Sequence, residues 1–302
     1  MTSPGQLLVR ATHDGGVLRD IAVDLQRPSV TRLFIGQLPD VVIKTVPYLF
    51  TLCAHAQRVA AQAAVNVALG ETPRTPDHAE LWIEVLHENL WRLLLDWPVA
   101  VGLPPAKEAF IAWRSGRNGD EVVASTASLV EAVLAPLAES CLTQLAGAEG
   151  DAVHHPQAAP VLAPEAWLDY WQGMQARMPA QPLPESVSAI YRARLREVDT
   201  ALKALAEGLP FPIASAGGAG WGVGQTLTAR GVLTHAVHVE DGKVVRYRVQ
   251  APTDSLFADA RALAALLANR RFVTLDQARQ GLDQAILAVD PCLTYVVELH
   301  DA

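Results

Sequence analysis

Two of the three cysteines in this 302-residue chain lie where thiol chemistry is favoured. Cys53 opens a predicted helix, and Cys292 follows Asp290-Pro291 at the end of another. A helix N-terminus lowers the pKa of a thiol, and the thiolate is the form that binds a soft metal. Residue types alone favour two buried structural thiols, with a metal site as the alternative. Cys141 lies inside an apolar helix and is interpreted as part of the core.

Three other patterns have structural interpretations that outweigh the chemical ones. His154-His155 stands in a proline-rich stretch with no cysteine or carboxylate at ligand spacing, which favours a solvated loop. Glu84-x-x-His87 has the spacing used by di-iron bundles, but no second such pair exists, so a structural role is favoured. The glycine cluster at 217–224 lacks the arrangement of a phosphate-binding loop, and no nucleotide site is expected.

The elements that must position these residues are mostly helices. Residues 51–69 are rich in alanine and end at Gly70, which predicts a buried helix that another backbone can approach closely. Further helical patterns cover 84–97, stopped by Pro98; 120–146, kinked at Pro136; 186–207, ending at Gly208; and 274–289, opened by a capping box at Thr274.

Strand patterns lie near the N-terminus and around 225–250. Asp14-Gly15-Gly16 and Asp241-Gly242 each predict a hairpin turn. The expected fold class is therefore α+β, mainly helical. Residues 1–302 are predicted to form a single domain, with an irregular proline-rich excursion at about 147–185 that contains one short helix near 167–174.

The composition limits the possible functions. Hydrophobic residues make up 50% of the chain and charged residues 19%, so a sizeable core is expected and wholesale disorder is excluded. The net charge of −8 provides no electrostatic footprint for nucleic acid or an anionic membrane. The sparse cysteines fit a reducing compartment. With no signal peptide and no uncharged apolar stretch of about 18 residues, a cytoplasmic protein is expected.

Two segments, one near each end of the chain, match motifs that normally supply pairs of cysteines. In the first, a Gly36-x-x-Pro39 lead precedes Cys53, with Phe50 and Gln57 where the motif has another cysteine and a histidine. The second reads Asp290-Pro291-Cys292, with Tyr295 and Glu298 where the motif has a cysteine and a histidine. A third block lies between them and comprises Thr228-Ala-Arg230-Gly231, His235, Asp241-Gly242-Lys243, Tyr247 and Pro252-Thr253.

In this order, the three segments resemble the large subunit of nickel–iron hydrogenases, whereas residues 98–210 match weakly. The nickel–iron site of that family needs four thiolates, and Phe50 and Tyr295 remove two of them. A stable nickel–iron pair and hydrogen turnover are therefore not expected. With this pattern the chain is similar to the HupK/HoxV family of hydrogenase accessory proteins, as is its segment 88–98.

The resemblance implies a maturation scaffold and not an enzyme. Cys53 and Cys292 would hold the iron fragment Fe(CN)2(CO) before its delivery to the hydrogenase large subunit precursor. A HypC-type chaperone and other maturation proteins are the implied partners, and nucleic acid and membrane are not. The alternative is a metal-free protein that only docks onto the maturation factors or the precursor.

A fragment bound through two thiolates is doubly negative, so its burial requires positive groups and hydrogen-bond donors. Arg230 is expected to face the cyanides, because its planar fork donates two hydrogen bonds and stays protonated. His55, His235 and the first backbone amides of the helix after Cys53 are the further expected donors.

Overall fold

The computed structural model of the protein describes residues 5–72, 74–149, 159–179 and 182–302. The strands are β1 (Gln6–Asp14), β2 (Val17–Gln26), β3 (Ile213–Gly218), β4 (Trp221–Thr228), β5 (Gly231–Glu240), β6 (Lys243–Gln250) and β7 (Tyr295–Asp301). The helices are α1 (Pro39–Leu49), α2 (Ala54–Leu69), α3 (His78–Trp91), α4 (Trp97–Ala100), α5 (Lys107–Gly116), α6 (Val122–Leu129), α7 (Ala135–Glu149), α8 (Pro164–Trp171), α9 (Val187–Glu207), α10 (Pro252–Leu256), α11 (Arg261–Leu267) and α12 (Leu275–Val289). The predicted α+β class, mainly helical, is confirmed.

A three-stranded sheet of order β2-β1-β7 joins the two ends of the chain. Gly15 and Gly16, both with positive φ, form the two-residue turn of the predicted β1–β2 hairpin. β7 runs parallel to β1, with Leu7 opposite Tyr295. The sequence does not predict β7, because this short terminal segment has no turn signal to mark it as a strand. Its pairing holds the segment after Cys292 against β1.

The second sheet has the order β3-β4-β5-β6, and α2 lies against it at very short distance. A Cβ atom at Gly222 would lie 1.9 Å from the carbonyl oxygen of Ala64, and one at Gly224 would lie 2.2 Å from that of Ala60. The glycine cluster therefore lets the sheet meet the alanine-rich helix backbone to backbone. The expected close approach to this helix is confirmed, and these glycines have a packing role.

Because of this contact, Gly224→Ala is expected to destabilise the protein strongly. The added methyl group would overlap both the carbonyl oxygen of Ala60 and the amide nitrogen of Ala64, 2.5 Å away, and neither backbone can yield easily. Overpacking of this kind costs about 1–3 kcal/mol or more of unfolding free energy in a denaturant titration. Gly116→Ala is the matched control, since a Cβ there meets nothing within 4 Å. Equal stabilities of the two variants would contradict the contact.

Two prolines expected to stop or kink helices are accommodated by π-helical turns. The prediction that Pro98 ends a helix is wrong, because the π-helical turn Arg92–Asp96 connects α3 to α4 and the helix continues to Ala100. A second such turn, Val130–Leu134, connects α6 to α7 and precedes Pro136. A proline ring clashes with the carbonyl four residues earlier, and the wider π turn contains that carbonyl in both helices.

The long helix α9 and the C-terminal helix α12 have the predicted ends. α9 ends at Gly208 in the left-handed region. α12 begins at Thr274, whose hydroxyl accepts a hydrogen bond from the amide of Gln277. It ends at Asp290, which has a φ of 58°, a value that is unusual for a residue other than glycine. Asp290 turns the chain sharply into Pro291-Cys292.

The described part of the proline-rich excursion contains the expected short helix, α8. Trp167 of this helix packs against Val223 and Ala236 of the second sheet. α2 and α8 both contact the sheet formed by β3 to β6. The His154-His155 pair lies outside the described residues.

One helical stretch, Val122–Glu149, is long and apolar enough to cross a membrane by length and composition. The sequence contains no uncharged apolar stretch of this length. This helix differs from such a stretch because it carries Glu131 and Glu139. Its inner face, which includes Leu134 and Leu145, belongs to the main hydrophobic core.

Candidate metal-binding site

Cys53 lies in a short 3-10 turn between α1 and α2, at the edge of the main core. Its side chain packs against the apolar residues of that core. The side-chain amide of Gln57, one turn further along α2, donates a hydrogen bond to its sulfur at 3.5 Å. Cys53 therefore has a largely apolar environment with one neutral donor.

Cys292 follows the left-handed Asp290 and has a polar environment. The guanidinium of Arg27 donates to its sulfur at 3.0 Å, and the hydroxyl of Thr253 lies 3.7 Å away. Arg27 comes from the end of β2 and Thr253 from α10, so three distant segments converge on this sulfur.

The two thiols lie within electrostatic range of each other, although they come from opposite ends of the chain. Burial raises the pKa of Cys53 to about 12. Within this net value, the carboxylate of Glu84 and a negative charge on Cys292 also raise the pKa, whereas the Gln57 hydrogen bond and the charge of Arg230 lower it. Both cysteines are free thiols. The charge of one cysteine therefore acts on the other, and their sharing of one metal stays a prediction.

The prediction that a helix N-terminus lowers the pKa of Cys53 is wrong, because burial raises that pKa and the first amides of the helix are already occupied. Glu84 of α3 accepts hydrogen bonds from the backbone amides of His55 and Ala56 at 2.8 and 3.0 Å. This carboxylate occupies the first amides of α2, which are therefore not the free donors that the sequence suggests. Glu84 has the structural role favoured from its spacing.

A pKa of about 12 makes Cys53 slow to alkylate. With an ordinary value of 9.0, the thiolate fraction at pH 8 is about a thousandfold larger than in the folded protein. Iodoacetamide should therefore modify Cys53 much faster in urea-unfolded protein than in folded protein, as followed by peptide mass spectrometry. In the folded state the rate should still rise with pH above 9. Equal rates in the two states would contradict the raised pKa of Cys53.

Arg230 lies in the loop between β4 and β5 and is buried. It donates to Glu88 at 2.8 Å and to the backbone carbonyl of Asp290 at 3.2 Å. Burial opposes its charge, but Asp290, Glu88 and Cys53 raise the pKa of Arg230 overall. Its Nη1 atom is buried and has no hydrogen-bond partner among the residues that the structure describes. Arg230 therefore brings an unused donor and a positive charge to the neighbourhood of Cys53.

Asp290 is the centre of a buried ion network that fixes the segment before Cys292. Its carboxylate pairs with Arg92 at 2.7 Å, Arg194 at 2.7 Å and Arg230 at 3.2 Å. Burial raises the pKa of this carboxylate, but the three arginines lower it by more and leave it at about 2. Asp290 is therefore ionised at physiological pH.

The two histidines proposed as donors have other partners. His235 is fully buried between the hydroxyl of Tyr247 at 2.6 Å and the side chain of Gln57 at 2.8 Å, and burial lowers its pKa to about 3. It contacts the site through Gln57, which donates to Cys53. His55 is half-exposed and lies 3.0 Å from the carboxylate of Glu80, and no hydrogen bond within the described ranges joins it to either cysteine. Their roles as fragment donors stay predictions.

Within the described parts of the chain, no group of three or more His, Cys, Asp or Glu side chains could enclose a metal ion. Phe50 packs against a hydrophobic cluster, and the Tyr295 hydroxyl lies 3.5 Å from Asp283. The donor set is therefore two sulfurs with arginine and amide donors around them. Such a set suits a metal that brings its own diatomic ligands better than a bare ion.

Sequence reasoning misses Arg27, Gln57 as a donor, and Glu88. Arg27 precedes Pro28 at a strand end and belongs to no motif, so nothing local connects it to a cysteine 265 positions away. Glu88 lies one turn after Glu84 on α3, and this spacing indicates that the two carboxylates share a helix face. That pattern could have pointed to the carboxylate that pairs with Arg230.

Comparison with solved structures defines the class of protein. The [NiFeSe] hydrogenase of Desulfovibrio vulgaris Hildenborough in the as-isolated oxidised state matches with a TM-score of 0.62 over 92% of this chain and 94% of that chain. The sequences are 14% identical, so this likeness shows the fold alone. The chain thus has the fold of a nickel–iron hydrogenase large subunit, with phenylalanine and tyrosine at two positions where the motifs have cysteine.

Sequence comparison then gives the family. No protein-family profile matches the chain. The hydrogenase expression/formation protein HupK of Azotobacter vinelandii is 31% identical over an alignment of 355 positions, which covers 99% of this chain and 99% of HupK. HupV of Azotobacter chroococcum mcd 1, with the same description, is 29% identical over 346 residues and 99% of both chains. The chain belongs to the HupK/HupV/HoxV family of hydrogenase expression/formation proteins. These relatives are named for formation of a hydrogenase and not for catalysis, which is consistent with the expectation of a non-enzyme.

Proposed function

We propose that the protein is a cytoplasmic scaffold in hydrogenase maturation. It holds the Fe(CN)2(CO) fragment through the thiolates of Cys53 and Cys292 and then transfers it to the hydrogenase large subunit precursor. A HypC-type chaperone and other maturation proteins are its further proposed partners. Naming of the relatives as expression/formation proteins supports the general role, and the arrangement of the site supports the specific one.

The observation that carries this proposal is that one arginine contacts the sulfur of Cys292 and the charge of another acts on Cys53. Arg27 donates to the sulfur of Cys292, and the charge of Arg230 lowers the pKa of Cys53 against the effect of burial. An adjacent positive charge favours the thiolate, which is the form required for binding iron. Two protein ligands leave the remaining positions on iron to cyanide, carbon monoxide and the incoming acceptor.

The free Nη1 of Arg230 is the proposed donor to a cyanide nitrogen. A buried N–H group without a partner costs free energy, and a ligand that accepts its hydrogen bond recovers that cost. The second guanidinium edge is already held by Glu88 and Asp290, so Arg230 is preorganised for this role. His235 acts indirectly here, by fixing the Gln57 amide that faces Cys53.

Infrared spectroscopy tests the proposal. Protein co-expressed with the maturation machinery and purified without oxygen should show cyanide and carbon monoxide stretching bands, with iron at about one atom per chain by metal analysis. If such protein carries neither bands nor iron, the scaffold is excluded and the metal-free docking protein becomes the account of this chain.

Arg230→Lys is expected to weaken retention of the iron fragment. Lysine keeps a positive charge near Glu88 and Asp290 but loses the planar fork and its free donor. Loss of a charge-assisted hydrogen bond costs about 1.5–3 kcal/mol, which corresponds to roughly 10- to 150-fold faster loss or weaker binding. Alanine is the poorer test, because it would also leave the buried carboxylates of Glu88 and Asp290 short of a partner.

Arg194→Lys is the matched control for this prediction. Arg194 is equally buried and pairs with the same Asp290, but Arg230 is the arginine whose charge acts on Cys53. Retention is followed by the intensity of the diatomic infrared bands after gel filtration. Equal losses in both variants would show that the effect comes from the ion network alone.

A further inference from the structure

Arg27 connects the sulfur of Cys292 to a rigid polar support. Its Nη2 atom donates to Cys292 and to the hydroxyl of Thr253, each at 3.0 Å. Its Nε lies 2.9 Å from the carboxylate of Asp254, which also accepts a hydrogen bond from the amide of Ala251 at the start of α10. The guanidinium is therefore held by hydrogen bonds through Nη2 and by an ion pair at Nε, which has no hydrogen bond among the described residues.

The two sulfurs consequently differ in their surroundings. The sulfur of Cys53 packs against the apolar core and accepts a long hydrogen bond from a neutral amide at 3.5 Å. Cys292 accepts a shorter hydrogen bond from a cation at 3.0 Å. The Arg27 side chain is 26% exposed, so the cation beside this second sulfur is in partial contact with solvent.

This difference has a chemical consequence for a metal bound between the sulfurs. A hydrogen bond from a cation withdraws electron density from a thiolate ligand, and such bonds to ligating sulfur tune the metal centre. The iron–sulfur bond to Cys292 should therefore be the weaker of the two, and the departing thiolate should be the better leaving group.

We propose that Arg27 makes Cys292 the ligand that the iron fragment leaves first when it is transferred to an acceptor thiolate. In this step the bond between iron and the acceptor sulfur forms, and the bond between iron and the Cys292 sulfur breaks. The electron pair stays on the Cys292 sulfur, whose negative charge Arg27 stabilises. Iron keeps its oxidation state and its cyanide and carbon monoxide ligands. This inference rests on the proposed function and adds to it a direction of release.

Arg27→Gln, compared with wild type in the loaded full-length protein, tests the proposal. Without the cationic donor the Cys292 thiolate donates more electron density to iron, so the carbon monoxide band should shift to lower wavenumber. Transfer of the fragment to dithiothreitol, used as the acceptor thiol, should be slower by about tenfold or more. Arg27→Lys keeps the charge beside Asp254 and should give intermediate values for both readouts. Arg32→Gln removes a neighbouring exposed arginine and should change neither.

The possible outcomes separate this inference from the proposed function. Wild-type protein without diatomic bands would refute the scaffold itself. If wild-type protein shows the diatomic bands, and both Arg27 variants show the same carbon monoxide band position and the same transfer rate as wild type, the release role alone is refuted. Faster loss of the fragment from Arg27→Gln would also overturn it, because Arg27 would then retain the fragment and not favour its release.

Discussion

Replacing either Cys53 or Cys292 by alanine should reduce the bound iron fragment to background. Each variant removes one of two protein ligands, and substitutions that only touch the residues around a metal ligand already cost 10- to 100-fold in affinity. The loss on removing a ligand itself should therefore exceed about 100-fold. Iron per chain and the intensity of the diatomic infrared bands, measured on anaerobically purified protein, give the result.

Cys141→Ala is the matched control for these two variants. Cys141 lies on α7 with its side chain fully buried in the main core, and it belongs to neither of the two cysteine motifs. The variant should lose some stability through the missing sulfur but keep its iron. Iron retained in Cys53→Ala or Cys292→Ala, or lost in Cys141→Ala, would remove the basis of the two-thiolate site.

Asp290→Asn should destabilise the folded protein by about 3–5 kcal/mol, because it leaves Arg92, Arg194 and Arg230 buried with one carboxylate fewer. Asparagine has nearly the same shape and tolerates the left-handed backbone at this position, so the change isolates the charge. The free energy of unfolding from urea titrations measures the effect. Asp40→Asn is the control, since Asp40 is exposed and its ion pair with Lys44 spans 3.8 Å, and it should change stability by less than about 0.5 kcal/mol.

The pH dependence of this contribution follows from the lowered pKa of Asp290. Because its folded value of about 2 lies below the ordinary 3.8, the carboxylate stabilises the fold fully above about pH 4 and loses this effect as the pH falls toward 2. The stability gap between wild type and Asp290→Asn should therefore be constant at neutral pH and close on acidification through that window. A gap that persists unchanged at pH 2 would assign the destabilisation to shape and not to charge.

Much of the architecture could be predicted because its signals are local. Gly15-Gly16 and Asp241-Gly242 mark hairpins through their turn conformations, and Gly70 and Gly208 mark helix ends. The alanines of α2 indicated a close approach, and the structure supplies the partner in Gly224. Pro98 gave the wrong end for a helix, because the π turn that accommodates it depends on packing and not on a residue type.

The candidate site was predictable only in part. Cys53 and Cys292 stand in recognisable motifs, but which charged groups surround them depends on contacts between distant segments. Arg27 reaches Cys292 from the end of β2. Burial raises the pKa of Cys53, and Glu84 occupies the first amides of α2. Sequence periodicity shows which residues share a face of one element. It does not show which element packs opposite, and at this site those long-range contacts set the electrostatics.

X-ray absorption at the iron edge of loaded wild-type protein tests the central claim most directly, because it counts the sulfur atoms bound to iron. Binding through Cys53 and Cys292 predicts two sulfur neighbours at about 2.3 Å, close to other metal–thiolate bonds, together with the carbon atoms of the diatomic ligands. An iron environment that contains carbon ligands but only oxygen or nitrogen from the protein, with no sulfur, would contradict the two-thiolate scaffold.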